Sequence, residues 1–124
     1  MPTNIGLLPQ LSDSFVVATN GDWRDQIVFV NNGAPLDITG IRFKGQLRSA
    51  ASDFIIRLIV STDDGTLVNG GSNGSLTFAV PYSLLQPIPP GAYVFDLLAM
   101  ADNETVNLFQ AAPAQVTVNE GVTR

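Results

Sequence analysis

The closing stretch of this chain, residues 91–124 (GAYVFDLLAMADNETVNLFQAAPAQVTVNEGVTR), constrains its fold more than any other segment. A Pro-Gly turn leads into a strand with period-two alternation, and a polar Asp-Asn-Glu turn follows it. A second apolar strand then runs almost to the carboxyl terminus and stops at Gly-Val-Thr-Arg. Two alternating runs joined by a polar turn are typical of a β-hairpin. The pattern predicts a closing hairpin, an all-β fold, and nothing appended after Arg124.

Upstream segments repeat the strand pattern at short intervals. The predicted strands are 15–19, 23–30, 41–48, 54–60, 66–68 and 75–80. One helical turn is predicted at 81–86, because proline suits the first turn of a helix. The chain has 124 residues, which fits one domain. We therefore predict an immunoglobulin-like antiparallel β-sandwich of about seven strands over residues 15–124, with an extended N-terminal arm over residues 1–14.

The clearest alternation lies in the predicted strand 41–48. One row is apolar and the other is polar, which is typical of a sheet with one buried and one wet face. Gly45 stands in the apolar row and predicts a close approach of another backbone, or a bulge. The next strand, 54–60 (FIIRLIV), is almost wholly apolar. We predict that it is a central strand, because at a sheet edge it would promote aggregation.

The predicted arm contains prolines that oppose regular pairing, yet it also carries apolar side chains. These are Ile5, Leu7, Leu8 and Leu11. Two interpretations remain open. The arm packs on its own domain, or it lies on a neighbouring subunit and binds a partner through these four side chains.

Composition excludes several classes of chemistry. The chain has no histidine and no cysteine, so Ser-His-Asp and Cys-His catalytic arrangements and ordinary zinc sites are excluded. It contains no glycine-rich phosphate loop of either standard type. We predict no catalytic residues, no metal site and no cofactor, and hence a protein that is not an enzyme.

The charge and the hydropathy of the sequence limit the classes of partner that the protein can bind. The formal net charge is −5, and only 14% of the residues are charged. An acidic balance argues against binding of nucleic acid, which needs clustered Lys and Arg. No Lys or Arg precedes Arg24, and no apolar run is long enough to cross a bilayer, so we predict neither a signal peptide nor a membrane partner.

The acids are predicted to be structural. Asp63, Asp64 and the 102–104 segment lie in turns, where Asp and Asn bond their own backbone. Asp96 alternates with apolar residues in the last long strand, so we predict a buried acid with a salt bridge to Arg57 or to an arginine of 41–48.

Two aromatic residues are also predicted to be structural. Tyr93 falls in the row of the last long strand that also contains Phe95, opposite the row of Asp96. Trp23, the only tryptophan, is interpreted as an anchor in the core or at a sheet edge. Stacking on a carbohydrate is the alternative for Trp23.

The cations are unevenly distributed along the chain. Residues 41–60 hold four cations against one acid, a charge of +3, which leaves −8 on the remainder of a chain whose total is −5. We define the basic stripe as Arg42, Lys44 and Arg48. Such a stripe on an acidic protein can steer assembly against an acidic neighbour, including copies of itself. The alternative is a solvated face with cross-strand ion pairs, each of which contributes little.

The order of several motifs resembles a known family. The motifs are DWRDQIVFV (22–30), APLDITGIRFKGQLR (34–48), GSLTFAV (74–80), PGAYVFDL (90–97) and the terminal GVTR (121–124). In this order they resemble small bacteriophage virion proteins of the tail and baseplate, including the N-terminal domain of upper baseplate proteins. The resemblance spans residues 22–124 and implies a β-sandwich domain that attaches components to a virion.

From the resemblance we expect a non-enzymatic virion structural protein, an accessory or adaptor subunit attached to the tail, neck or baseplate. Its expected partners are other virion proteins and copies of itself, and it would be assembled in the host cytoplasm. A decoration protein of the phage head and a carbohydrate-binding β-sandwich that contacts host glycan are the alternatives.

Overall fold

The strands form two hydrogen-bonded sheets and a short hairpin in the computed structural model, which describes residues 3–123. Met1, Pro2 and Arg124 lie outside the described residues, so the predicted start of the arm and end of the chain lie there too. The strands are β1 (Ser14–Ala18), β2 (Gln26–Val28), β3 (Val30–Asn31), β4 (Ala34–Pro35), β5 (Arg42–Arg48), β6 (Leu58–Ser61), β7 (Leu67–Asn69), β8 (Ser75–Phe78), β9 (Gly91–Ala101), β10 (Glu104–Asn107) and β11 (Ala114–Asn119). One helical turn, α1 (Tyr82–Leu85), lies where it was predicted. The prediction of an all-β fold is confirmed.

The larger sheet has the strand order β1-β11-β9-β5-β6, and β10 pairs with the second half of β9. The smaller sheet has the order β2-β8-β7, and β3 pairs with β4. The prediction that all pairing is antiparallel is wrong, because β1 runs parallel to β11. These two strands are far apart in the sequence, so no hairpin turn dictates their relative direction. The predicted turn joins β9 and β10, but the predicted second strand does not run on to the carboxyl terminus. It is divided into β10, which pairs with the second half of β9, and β11, which pairs with the first half.

Aromatic rings from both sheets meet in one core. Trp23 stacks on Phe78 at a centroid distance of 4.5 Å, and its ring edge meets Phe95 at 5.7 Å. Phe15 lies within 6.1 Å of the Phe95 ring and within 5.5 Å of Phe78. Phe15 lies on β1 and Phe95 on β9 of the larger sheet, whereas Phe78 lies on β8 of the smaller one. This cluster joins the inner faces of the two sheets.

The predicted turns are confirmed where positive φ is needed. Asn32 and Gly33 have φ of 53° and 79° between β3 and β4. Asp102 and Asn103 have φ of 52° and 63° between β9 and β10. Two successive residues with positive φ form the turn whose twist matches a two-residue hairpin.

The apolar segment 54–60 does not form the predicted central strand. β6 begins only at Leu58 and is the edge strand of the larger sheet, paired with β5 alone. Before it, Asp53 bonds back to Ala50 in a turn and accepts the Ile55 amide on its side chain. Residues 54–56 therefore stay outside the ladder, and the first bond to β5 is donated by the Arg57 amide to the Leu47 carbonyl oxygen at 2.7 Å.

Gly45 on β5 is where the larger sheet is packed most tightly. A Cβ atom at this position would lie 2.6 Å from Phe95 Cε1 and 2.8 Å from the carbonyl oxygen of Asp96. Contacts below 3.0 Å are not tolerated without movement, and one of the two obstacles is backbone. The sequence predicted a close approach here, and the structure identifies the Phe95 ring and the β9 backbone as the groups that approach.

We therefore expect Gly45→Ala to destabilise the fold by about 1–3 kcal/mol, because an added methyl group overpacks the core against β9. The measurement is the free energy of unfolding in denaturant. Gly21→Ala is the control, since nothing lies within 4 Å of a Cβ atom at Gly21. Equal stability of the two variants would contradict the packing described here.

Candidate interaction surface

The outward face of β5 and β9 places cations beside apolar side chains. The register pairs Arg42 with Met100, Lys44 with Leu98, Gln46 with Asp96, and Arg48 with Val94. Directly opposed residues of an antiparallel pair project to the same side of the sheet. The inward neighbours on both strands are buried, whereas the outward residues are exposed or half-buried. The basic stripe therefore runs alongside an apolar row on one face.

No cation of the basic stripe forms an ion pair with another of the residues 3–123, although Asp96 lies on the same face, opposite Gln46. Within residues 3–123 the only ion pair is the exposed Arg24–Asp22 contact at 3.9 Å. Arg48 donates instead to the carbonyl oxygen of Asp53 at 2.7 Å and to Gln46 Oε1 at 2.8 Å. The cross-strand ion pairs of the solvated alternative are therefore not formed in the described part of the chain.

Arg57 adds a fourth cation next to the stripe. It precedes Leu58, which pairs with Leu47, so it lies beside Arg48. Its Nε atom is buried and has no hydrogen-bond partner within residues 3–123. A depression of about 280 Å³ lies close by and is lined in part by Arg48, Val94 and Asp96.

An exposed apolar ridge borders the stripe at the β6 edge. We define the ridge as Phe54, Ile55, Ile56 and Ile59. Phe54 is 95% exposed, and the three isoleucines are 40–55% exposed. Phe54, Ile55 and Ile56 are consecutive in the chain, and Ile59 faces outward opposite Gln46. Four exposed large apolar side chains within six residues are unusual for a surface whose function is only to face water.

Part of the backbone at the β6 edge already has hydrogen-bond partners. The Ser61 amide donates to Thr66 Oγ1 at 2.8 Å, and the same hydroxyl lies 3.4 Å from the Ser61 carbonyl oxygen. A side chain that occupies backbone groups at an edge hinders pairing with another strand. The ridge therefore offers side chains rather than an open strand to a neighbour.

Sequence reasoning did not identify the ridge residues as a site. The apolar run at 54–60 was recognised, but it was assigned to the centre of the sheet. The signal that could have corrected this is the small polar segment before it (SAASD, 49–53), which forms a turn with its own hydrogen bonds.

Asp96 does not form the predicted salt bridge. Its outward row is half-buried rather than in the core, and no cation within residues 3–123 lies at salt-bridge distance. Asn107 Nδ2 donates to Asp96 Oδ2 at 3.1 Å instead. The Asp96 carboxylate is therefore stabilised by the side-chain amide of Asn107 on β10, and it is only half-buried.

Trp23 and Tyr93 are both buried. Trp23 is 2% exposed, and its Nε1 donates to Asp25 Oδ2 at 2.6 Å. A ring enclosed in this way has no free face for a sugar, so the carbohydrate-stacking alternative for Trp23 is wrong. The Tyr93 hydroxyl donates to the carbonyl oxygen of Pro89, four residues upstream.

The described part of the arm packs on its own domain. Ile5 is buried within a 3₁₀ turn (Ile5–Leu7), and Leu8 and Leu11 pack against the core. The Leu11 amide donates to the Leu108 carbonyl oxygen at 2.7 Å. Of the four side chains predicted to bind a partner, only Leu7 is mostly exposed.

Asp102 accepts hydrogen bonds from the start of the described arm. Its Oδ2 accepts both the Thr3 amide and the Thr3 hydroxyl, each at 2.7 Å. These bonds favour the charged carboxylate and lower the pKa of Asp102 from its ordinary value of 3.8. The backbone bond is the larger cause.

Of the predicted turn acids, Asp64 bonds its local backbone as expected: its Oδ1 accepts the Thr66 amide at 2.9 Å and the Thr66 hydroxyl at 2.6 Å. Asp63 takes part in the same turn through its backbone amide, which donates to Ser61 Oγ at 2.9 Å, and the Asp102 carboxylate bonds the distant Thr3 rather than its own turn. Within the described residues, no three acidic side chains are grouped so that they could hold a metal ion.

Comparison with known proteins adds no assignment. No protein-family model matches the chain, and no curated protein matches it. Within residues 3–123, none of the helices is long and apolar enough to span a membrane.

We expect the anchorage of Thr3 to be lost in acid. A lowered pKa in the folded state contributes stability above the ordinary value of 3.8, and this contribution disappears as the pH falls through the lower folded value. An NMR titration should show an Asp102 carboxyl midpoint below 3.8, and the Thr3 amide should lose its exchange protection over the same range.

Asp102→Asn should remove this pH dependence, since Asn tolerates the positive φ at this position but does not titrate. Asp37→Asn is the control. The pKa of Asp37 is also lowered, but by hydrogen bonds from Thr39. A Thr3 transition that follows Asp37 rather than Asp102 would contradict the assignment.

Proposed function

We propose that this protein is a non-enzymatic structural subunit of a bacteriophage virion. It is an accessory or adaptor piece of the tail, neck or baseplate that docks through the basic stripe and the ridge. The observation that carries the proposal is that cations without an ion pair within residues 3–123 lie on the outward face of β5, and that exposed large apolar side chains lie on and just before the neighbouring strand β6. A surface of this composition gains free energy when a partner covers it.

The proposal includes an immunoglobulin-like β-sandwich. The strand order supports it, because β2, β8 and β7 occupy the places of strands B, E and D, and β5, β9 and β11 those of C, F and G. β6 then takes the place of the additional strand beside C. A further support is the bond from Tyr93, near the start of β9, to the upstream backbone of Pro89, which has the form of a tyrosine corner.

The motif order over residues 22–124 supports the virion assignment through its resemblance to tail and baseplate proteins. Two of the resembling motifs, APLDITGIRFKGQLR and PGAYVFDL, contain the whole of β5 together with Val94 and Asp96 of the outward row of β9. The segments that carry the resemblance therefore also build the β5 part of the proposed docking face. In this proposal the protein assembles with other virion proteins and with its own copies in the host cytoplasm, and it takes no part in nucleic-acid binding.

The test is incorporation into particles. We expect the chain to be present in virions purified from phage-infected cells that produce it. Phe54→Ser should reduce its amount per particle by tenfold or more, in line with about 2 kcal/mol for an aromatic residue at the centre of an interface.

Val122→Ser is the matched control, since Val122 is 93% exposed and Phe54 is 95% exposed. Both substitutions should leave the thermal unfolding of the purified protein nearly unchanged, because neither side chain is packed. Absence of the wild-type chain from particles would refute the virion role, and normal incorporation of Phe54→Ser would refute docking through the ridge.

A further inference from the structure

Four asparagines of this chain are followed directly by glycine, at Asn20-Gly21, Asn32-Gly33, Asn69-Gly70 and Asn73-Gly74. In an Asn-Gly pair the glycine nitrogen can attack the carbonyl carbon of the asparagine side chain, and the glycine has no Cβ atom that hinders the approach. The attack requires that the asparagine side chain and the glycine N–H are both free to approach each other. The hydrogen bonds of each pair therefore determine which of the four can react in the folded protein.

The pair at Asn69 is held at both groups. Asn69 Nδ2 donates to the carbonyl oxygens of Ile38 and Ile41 at 2.9 and 2.8 Å. The Gly70 amide donates to the Ser75 carbonyl oxygen at 2.7 Å. Three hydrogen bonds would have to break before this asparagine could react.

The pair at Asn20 is held in the same way by fewer bonds. Asn20 Nδ2 donates to the Thr123 carbonyl oxygen at 2.9 Å, and the Gly21 amide donates to the Ala18 carbonyl oxygen at 3.4 Å. Its reaction requires that a side-chain bond and a backbone bond open together.

The pair at Asn73 has a free side chain but an engaged glycine. The Asn73 side chain is exposed and forms no hydrogen bond with another of the residues 3–123. The Gly74 amide donates to the Gly71 carbonyl oxygen at 3.1 Å, and the Gly74 carbonyl oxygen accepts the Phe29 amide at 2.7 Å. Because Gly74 is also buried, the attacking nitrogen of this pair is fixed in place.

The pair at Asn32 is the one in which both groups are free. Neither the Asn32 side chain nor the Gly33 N–H forms a hydrogen bond with another of the residues 3–123, and both residues are exposed. A Cβ atom at Gly33 would meet nothing within 4 Å, so the space around the attacking nitrogen is open. Asn32-Gly33 thus differs from Asn73-Gly74 in the freedom of its glycine.

The hairpin that carries Asn32 can also open at low cost. β3 and β4 pair only with each other, through two residue pairs, and all six residues of 30–35 are exposed. A two-stranded hairpin of this size is marginally stable, and segments with few buried contacts open locally with little free energy. At its base, Phe29 and Leu36 are buried and joined by a hydrogen bond of 2.9 Å, so the rest of the fold is not disturbed by the opening.

We infer that Asn32 is a site of spontaneous deamidation, and that the folded chain directs this reaction to Asn32 rather than to the other three Asn-Gly pairs. A base removes the proton of the Gly33 N–H, and the nitrogen forms a bond to Asn32 Cγ. The Cγ–Nδ2 bond breaks, and Nδ2 leaves with a proton as ammonia. Water then opens the cyclic imide at one of its two carbonyl carbons and gives aspartate or isoaspartate. Water is the only co-reactant, and nothing is oxidised or reduced.

The products differ from the original chain in charge and in the length of the main chain. One acid is added to the 11 present, so the formal net charge changes from −5 to −6. Aspartate can keep the turn, because Asp tolerates the positive φ of this position. Isoaspartate inserts a methylene group into the main chain of a two-residue turn, so the pairing of Asn31 with Ala34 should be lost. The inference does not depend on the proposed virion role, since the hairpin contains no residue of the ridge or the basic stripe.

Incubation of the purified protein at mildly alkaline pH tests the inference. Ion-exchange chromatography separates the species with the additional negative charge, and peptide mapping by mass spectrometry locates it. Conversion of Asn32 should be at least tenfold faster than conversion of any other Asn-Gly pair, which corresponds to about 1.4 kcal/mol in activation free energy. An isoaspartyl methyltransferase should label the isoaspartate part of the product.

Two variants separate Asn32 from its matched pair. Asn32→Gly should abolish the early acidic species, and its Gly-Gly turn keeps the hairpin geometry. Asn73→Ser should leave the rate of formation of that species unchanged. Isomerisation at Asp64-Gly65 releases no ammonia and leaves the charge unchanged, so it does not contribute to this measurement.

In denaturant the four pairs should react at similar rates, because only the fold distinguishes them. A folded protein that keeps its original charge while the denatured chain deamidates would overturn the inference. A first charge change at Asn20, Asn69 or Asn73 in the folded protein would overturn it as well.

Discussion

The inward row of β9 holds the protein together. β9 is the longest strand, and it pairs with β5 on one side and with β10 and β11 on the other. Its Phe95 ring packs over Gly45 and also meets Trp23 and Phe15. One side chain therefore links the strands of the larger sheet to the aromatic core between the sheets. Replacing a buried phenylalanine in such a place costs about 3–5 kcal/mol.

Side chains alternate between the two faces of β9, so the same strand also determines which side chains lie on the candidate interaction surface. Because Phe95, Leu97 and Ala99 point inward, Leu98 and Met100 must point outward, where they meet the basic stripe of β5. The residues that β9 buries in the core therefore determine which of its residues are presented on the outer surface. The basic stripe and the apolar row beside it lie on the neighbouring strands β5 and β9, whereas three of the four ridge residues lie in the segment before β6.

The ridge and the charges contribute different amounts to the free energy of binding a partner. Full burial of a phenylalanine or isoleucine side chain contributes about 1.5–3 kcal/mol. An exposed ion pair contributes about 0–1 kcal/mol. The ridge can thus supply most of the affinity for a partner, whereas the charges of the stripe favour particular partners and orientations. Leaving the cations unpaired costs the isolated chain little, because surface ion pairs are weak.

Local patterns in the sequence predicted local structure well. Asn32-Gly33 and Asp102-Asn103 gave the hairpin turns, because their short side chains tolerate positive φ. The alternation in 41–48 gave both faces of β5 correctly.

Non-local features could not be predicted in the same way. The edge position of β6, the parallel pairing of β1 with β11 and the amide partner of Asp96 depend on which distant strands become neighbours. The candidate surface follows from that topology: its basic half was recognised in the sequence, and the ridge was not.

The central claim is that the ridge and the basic stripe are covered when the protein performs its role. Hydroxyl-radical footprinting of the free protein and of the assembled particle measures this most directly, because the extent of side-chain oxidation follows exposure to solvent. We predict strong protection of Phe54 and Ile59 in the particle and unchanged oxidation of Val122. Equal oxidation of Phe54 in the free and assembled states would contradict the account.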